Sequence, residues 1–146
     1  MDPASRTLDE VPSGTIETVP GFEPAFKATV VFGADWFSTD ADGKHGRVDF
    51  KGIATTEDGH VIDVRTKGII DMTAPAAAKV FTLQPDMASV PFGHAAANVE
   101  YLASDPKLKF LEYSYFVGSA QIIIDEQGVT LGNRQSIVLT PPVVSE

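Results

Sequence analysis

Between Arg47 and Met72 the chain alternates polar and apolar side chains on both sides of the turn sequence Thr56-Glu57-Asp58-Gly59. Period-two alternation is the signature of a strand with one buried face, because successive side chains of extended backbone point to opposite sides. A short Asp-Gly turn between two such runs predicts a β-hairpin. In the second run Ile62, Val64 and Ile70 fall on one side, while Asp63, Arg65, Lys67 and Asp71 fall on the other. That pattern fits an antiparallel strand with one face in the core and one face wet or lining something polar.

The flanking chain repeats the theme. Ala25–Phe32 is rich in Val, Thr and Phe and stops at Gly33, as a strand entering a turn would. The stretch from Phe37 to Gly46 collects Ser, Thr, Asp and Gly and is read as a loop. Thr73–Leu83 breaks the alternation with a run of alanines after Pro75, which predicts one short helix with Thr73 placed as its cap. Gln84–Pro91 reads as a loop and Phe92–Leu102 as a strand. Asp105-Pro106 marks a turn or a single helical turn. A long strand from Phe110 to Ile124 then leads through Asp125-Glu126-Gln127-Gly128 to a return strand over Val129–Thr140, ended by Pro141-Pro142. Residues Met1–Gly21 lack apolar periodicity and are read as a flexible N-terminal segment, with a single domain over residues 22–146.

These elements predict an all-β chain: an antiparallel β-barrel of about six to eight strands with one short helix, a β-sandwich being the alternative. The length of 146 residues suits one hydrophobic core. A formal charge of −9 with scattered cations disfavours nucleic acid and anionic membrane as partners, since both require clustered Lys and Arg. The absence of cysteine removes disulfides, thiol nucleophiles and thiolate metal sites. With no apolar leader or span near Met1, a cytoplasmic protein is the expectation.

Two stretches carry a resemblance: Gly33-Ala34-Asp35-Trp36 with the later EDGHVIDVRTKG, and VEYLASDPKLKFLEYSYFVGSA from Val99 to Ala120. In this order they resemble the domain-of-unknown-function 3237 family, although Phe110 stands where that family usually has Trp. The resemblance implies a compact β-barrel, often paired as a homodimer, and little about chemistry.

Candidate catalytic residues follow from residue type and spacing. A carboxylate at Asp35 held against the Trp36 indole in an apolar pocket would have its pKa raised toward proton-transfer use. Tyr113 and Tyr115, two apart on an extended strand, would share a face and could hydrogen-bond a carbonyl or protonate an enolate. Trp36, Phe50, Arg65, His94 and Tyr101 are the candidate substrate contacts, though the odd spacing of His94 and Tyr101 requires a bulge for both to line one pocket. The three histidines lack metal-ligand spacing, the Asp40-Ala41-Asp42-Gly43 string does not continue as a calcium loop, and no nucleotide or serine-hydrolase motif occurs, so no metal or cofactor is expected. The function expected is a cofactor-independent isomerase or cyclase acting on a small, largely apolar metabolite inside the barrel. A non-catalytic small-molecule carrier or a dimerisation module is the alternative.

Overall fold

A computed structural model describes residues 5–140. The strands are β1 (Arg6–Val11), β2 (Thr15–Glu17), β3 (Lys27–Thr39), β4 (His45–Thr56), β5 (Val61–Asp71), β6 (Ala95–Ala103), β7 (Tyr115–Asp125) and β8 (Gly128–Val138). Helix α1 (Pro75–Phe81) follows β5, and a 3-10 helix (Pro106–Tyr113) separates β6 from β7. All the strands belong to one antiparallel sheet in the order β1-β3-β4-β5-β6-β7-β8, with β2 alongside the start of β3. From β3 onward each strand pairs with the next, and the sheet curls into a half-barrel. A single continuous sheet is not the sandwich alternative. Among the described residues β1 and β8 remain its edges, so hydrogen bonds do not close the seam. Among the described residues no helix is long and apolar enough to cross a membrane.

The alternation predicted for β4 and β5 is observed in register: Ala54 faces Ile62, Gly52 faces Val64, and Val48 faces Gly68. The apolar side of the sheet carries two adjoining clusters. Ala28, Ala54, Ile62, Val64, Val99, Tyr101 and Phe116 pack with Leu108 and Leu111 of the 3-10 helix. Those two leucines are three residues apart and therefore eclipse each other in a helix of three residues per turn. Toward the other end of the sheet, Ala77 and Val80 of α1 pack with Phe37, Ile70, Met72, Val90 and Ile122. Phe37 also stacks on Phe81 of α1 at 4.9 Å between ring centroids.

Close approach of aromatic rings to backbone explains the glycines of β3 and β4. A Cβ on Gly33 would lie 2.6 Å from the Phe50 ring, and one on Gly52 would lie 2.7 Å from it. The ring therefore rests on bare backbone of two paired strands, an arrangement closed to any larger residue.

Several sequence expectations are corrected. The segment before Phe22, read as flexible, supplies β1 and β2, both paired to β3. It shows no alternation because β1 is an edge strand exposed along nearly its whole length, so no face of it is selected to be apolar. The loop expected from Phe37 begins only after Thr39, where β3 ends. The strand expected from Phe110 starts at Tyr115, because the helical turn at Asp105-Pro106 continues to Tyr113. Asp105 starts it by accepting the Lys107 N–H at 2.9 Å. Thr73 does not cap α1. Its hydroxyl donates to Asp71 Oδ1 at 2.6 Å, and the residue before the helix is Ala74, which has no capping side chain.

Gly33→Ala should destabilise the fold by about 1–3 kcal/mol through overpacking against Phe50. The double variant Gly33→Ala/Phe50→Leu should lose less than the two single losses combined, as measured by denaturant unfolding. Strict additivity would show that ring and backbone are not in conflict.

Candidate functional site

The polar side of the sheet forms an open trough of about 970 Å3 that runs across β1 and β3 to β7. Its floor follows from strand register. Arg6 lies opposite Ser38, Ser38 opposite Arg47, Arg47 opposite Ile69, and Ile69 opposite Ala96. One step along, Asp49, Lys67, Asn98 and Val117 form a second row. Lys51, Arg65 and Glu100 form a third, and with Asp49, Lys67 and Asn98 they line an adjoining recess of about 360 Å3. Trp36 lies in the trough, half exposed, with the Lys51 ammonium 5.5 Å from its ring centroid. Ile69 and Val117 are also about half exposed there.

Two cations of this surface are held by carboxylates. Arg47 donates from Nε and Nη2 to the two oxygens of Asp40 at 3.0 and 2.7 Å, which keeps the Asp40 carboxyl below its ordinary pKa. Arg65 Nε reaches Asp63 at 3.4 Å. Among the described residues Arg6, Lys51 and Lys67 have no ion-pair partner.

The structure separates the residues singled out from sequence. Asp35 and Trp36, adjacent on β3, point to opposite faces, so the indole does not cover the carboxylate. Asp35 lies on the core side, directly opposite Phe50 on β4 and Asp9 on β1. Its Oδ1 accepts the Asp49 N–H at 2.8 Å, at a point where the β3–β4 ladder skips Trp36 and Phe37. Burial pushes its pKa from 3.8 to about 6; the Asp49 amide opposes that rise, and the charges of Asp9 and Asp49 add to it.

Tyr101 is a core residue. It meets Phe116 edge-on at 5.4 Å, and its hydroxyl donates to Gln135 Oε1 at 2.6 Å. Burial pushes its pKa up to about 12. Tyr113 ends the 3-10 helix rather than sharing a strand face with Tyr115, and both are largely exposed. His94 precedes β6 and contributes its carbonyl to the Asp71 N–H at 2.8 Å. Phe50 packs against the core. Of the candidates, only Trp36 and Arg65 line the trough or its recess; Tyr115 shares a side of β7 with Val117 but does not line either.

Sequence reasoning passed over Lys51 and Lys67. The polar half of the β4 and β5 alternation contained them, but only register shows that they meet across strands. Two surface trios offer one imidazole and two carboxylates each, Asp58/His60/Asp105 and Asp40/Asp42/His45, with ligand atoms within 4.8 Å of one another. In the second, Arg47 already occupies Asp40.

Two predictions follow the buried groups. The folded state keeps the Asp35 proton to higher pH than the unfolded state, so its contribution to stability is complete below about pH 4 and is lost as pH rises through about 6. Asp35→Asn preserves an acceptor for Asp49 and should therefore flatten this loss. Discounted for partial exposure, the expected gain at pH 8 is on the order of 1 kcal/mol; equal stability gains at pH 4 and pH 8 in urea melts would contradict it. Tyr101→Phe strands the Gln135 oxygen and should lose about 1 kcal/mol. It should also remove the phenol that ionises near pH 12 in an ultraviolet titration.

Two solved structures agree with the fold. A conserved protein of unknown function from Rhodopseudomonas palustris superposes with a TM-score of 0.61 at 16% identity, over 94% of this chain and 100% of that one. A protein of unknown function from Clostridium acetobutylicum gives 0.58 at 16% identity, over 92% and 100%. A β-barrel-like protein from Acinetobacter baumannii gives 0.48 at 18% identity, over 92% and 98%. No curated protein matches the chain. The family described as "Protein of unknown function (DUF3237)" matches residues 2–134, and with the expected order of segments present on one curled antiparallel sheet, the chain belongs to that family.

Proposed function

We propose that this protein binds a small organic molecule in the trough across β1 and β3 to β7. The observation that carries this reading is a large indole left half exposed in a concave surface that the half-exposed side chains of Ile69 and Val117 also line. Sites for small molecules combine an apolar, often aromatic, contact area with a few oriented polar groups, and about 1,000 Å3 is the upper end of their usual volume. The trough supports non-catalytic binding more directly than the isomerase or cyclase reading, because Asp35, Tyr113 and Tyr115 do not line it.

One observation favours the catalytic reading as a second. Asp35, with a pKa near 6, is suited to accept and return a proton near neutral pH. A substrate would have to reach it from the core side of β3, next to Phe50 and the β1 edge. Full turnover by Asp35→Asn, once a substrate is in hand, would end that reading.

Trp36 is the only tryptophan, so its fluorescence reports on the trough without interference. Protein exposed to a metabolite extract should retain a compound identifiable by mass spectrometry, and titration with that compound should change Trp36 emission. Trp36→Ala should weaken binding roughly tenfold through lost aromatic contact. An unchanged affinity in Trp36→Ala would place the ligand elsewhere.

A further inference from the structure

The distribution of charge over the sheet is uneven. The chain has 11 Lys and Arg against 20 Asp and Glu. Arg6, Arg47, Lys51, Arg65 and Lys67 line the trough and its recess; among the described residues the carboxylates that line them are Asp49 and Glu100, while Asp40 and Asp63 pair with Arg47 and Arg65. A molecule that is strongly acidic overall thus gathers nearly half its cations on one concave surface.

That gathering works against folding. Lys51 and Arg65 are exposed and directly opposite each other on β4 and β5, and like charges in this position repel. Lys67 follows Arg65 on the same face. Asp49 lies opposite Lys67 and Glu100 opposite Arg65, yet neither pair closes to ion-pair distance. Lys51 instead stands over the Trp36 ring. Among the described residues the ammonium groups of Lys51 and Lys67 have no ion-pair partner, and that of Lys51 stands over an exposed indole.

We infer that the ligand of the trough is an amphipathic organic carboxylate: Lys51, Lys67 and Arg65 receive its anionic head, and Trp36, Ile69 and Val117 carry its apolar body. This rests on the reading of the trough as a binding site and specifies its ligand class. A carboxylate accepts hydrogen bonds from ammonium and guanidinium groups and relieves their mutual repulsion, which a neutral polar group does only weakly. The surrounding net negative charge disfavours large polyanions, while a small monoanion can enter the local positive field.

The test uses two probes with the same apolar body, adamantane-1-carboxylate and adamantane-1-carboxamide, titrated into the full chain with Trp36 emission and calorimetry as readouts. The carboxylate should bind roughly tenfold or more tighter than the amide at low salt, and high salt should narrow that gap. Lys51→Gln/Lys67→Gln should abolish the preference while leaving amide binding in place, and Lys107→Gln, on the distant 3-10 helix, should leave both affinities unchanged. Equal affinities in the parent protein would overturn the carboxylate assignment and leave the trough as a neutral-ligand site. A preference retained in full by the double variant would overturn the role of these lysines. Failure of both probes to bind would overturn the assignment together with the trough reading.

Discussion

One extra residue in β3 decides what each face of this sheet presents. Before the irregularity, Ala28 and Val30 lie in the core, and Val30 sits opposite Ala54 on β4. The next pair is Phe32 with Ile53, so Val31 has no partner and the parity of the strand inverts. Beyond it Gly33, Asp35 and Phe37 face the core, and Phe32 and Trp36 face outward. An unbroken ladder would have sent Trp36 into the core and Asp35 to the other face. The half-buried carboxylate and the exposed indole are two consequences of this bulge.

The core side of the sheet is built on small residues beneath large ones. Gly33 and Gly52 accommodate the Phe50 ring, and Gly46 accommodates Phe37, where a Cβ would come within 2.5 Å of the ring. Ala28 and Ala54 are fully covered beside Ile62. With α1 packed on one cluster and the 3-10 helix on the other, the apolar side is consumed by folding. The polar side is left as the surface available to a partner molecule. It carries opposing cations that contribute nothing to the core, and the proposed binding site is built on them.

Some of this architecture was legible in the chain. The β4–β5 hairpin followed from strict alternation around Thr56–Gly59, and the short helix followed from Pro75 and the alanines. The first strands were not legible, since an edge strand held by backbone hydrogen bonds leaves no periodic mark in its side chains. The full length of the 3-10 helix was not legible, because Phe110–Tyr113 contains residues that suit a strand equally well. The site was less legible still. Asp35 and Trp36 drew notice through their adjacency, yet neighbours on a strand face opposite ways, and their pairing dissolves once the chain is extended.

What the sequence determined by itself is the class: a small antiparallel β protein with one short helix, one wet sheet face, and the segment order of its family. Those properties are local, written in period-two alternation, turn residues and proline positions, and they survive without knowledge of distant contacts. Tertiary structure alone decided which cations meet and which carboxylate is buried. Lys51 and Arg65 lie on different strands and are brought opposite each other only by the β4–β5 register. The outward turn of Trp36 and the raised pKa of Asp35 depend on one unpaired residue and on burial beside β4. Register, bulge position and desolvation are set by the best simultaneous packing of the whole sheet, and no single segment of the chain encodes them.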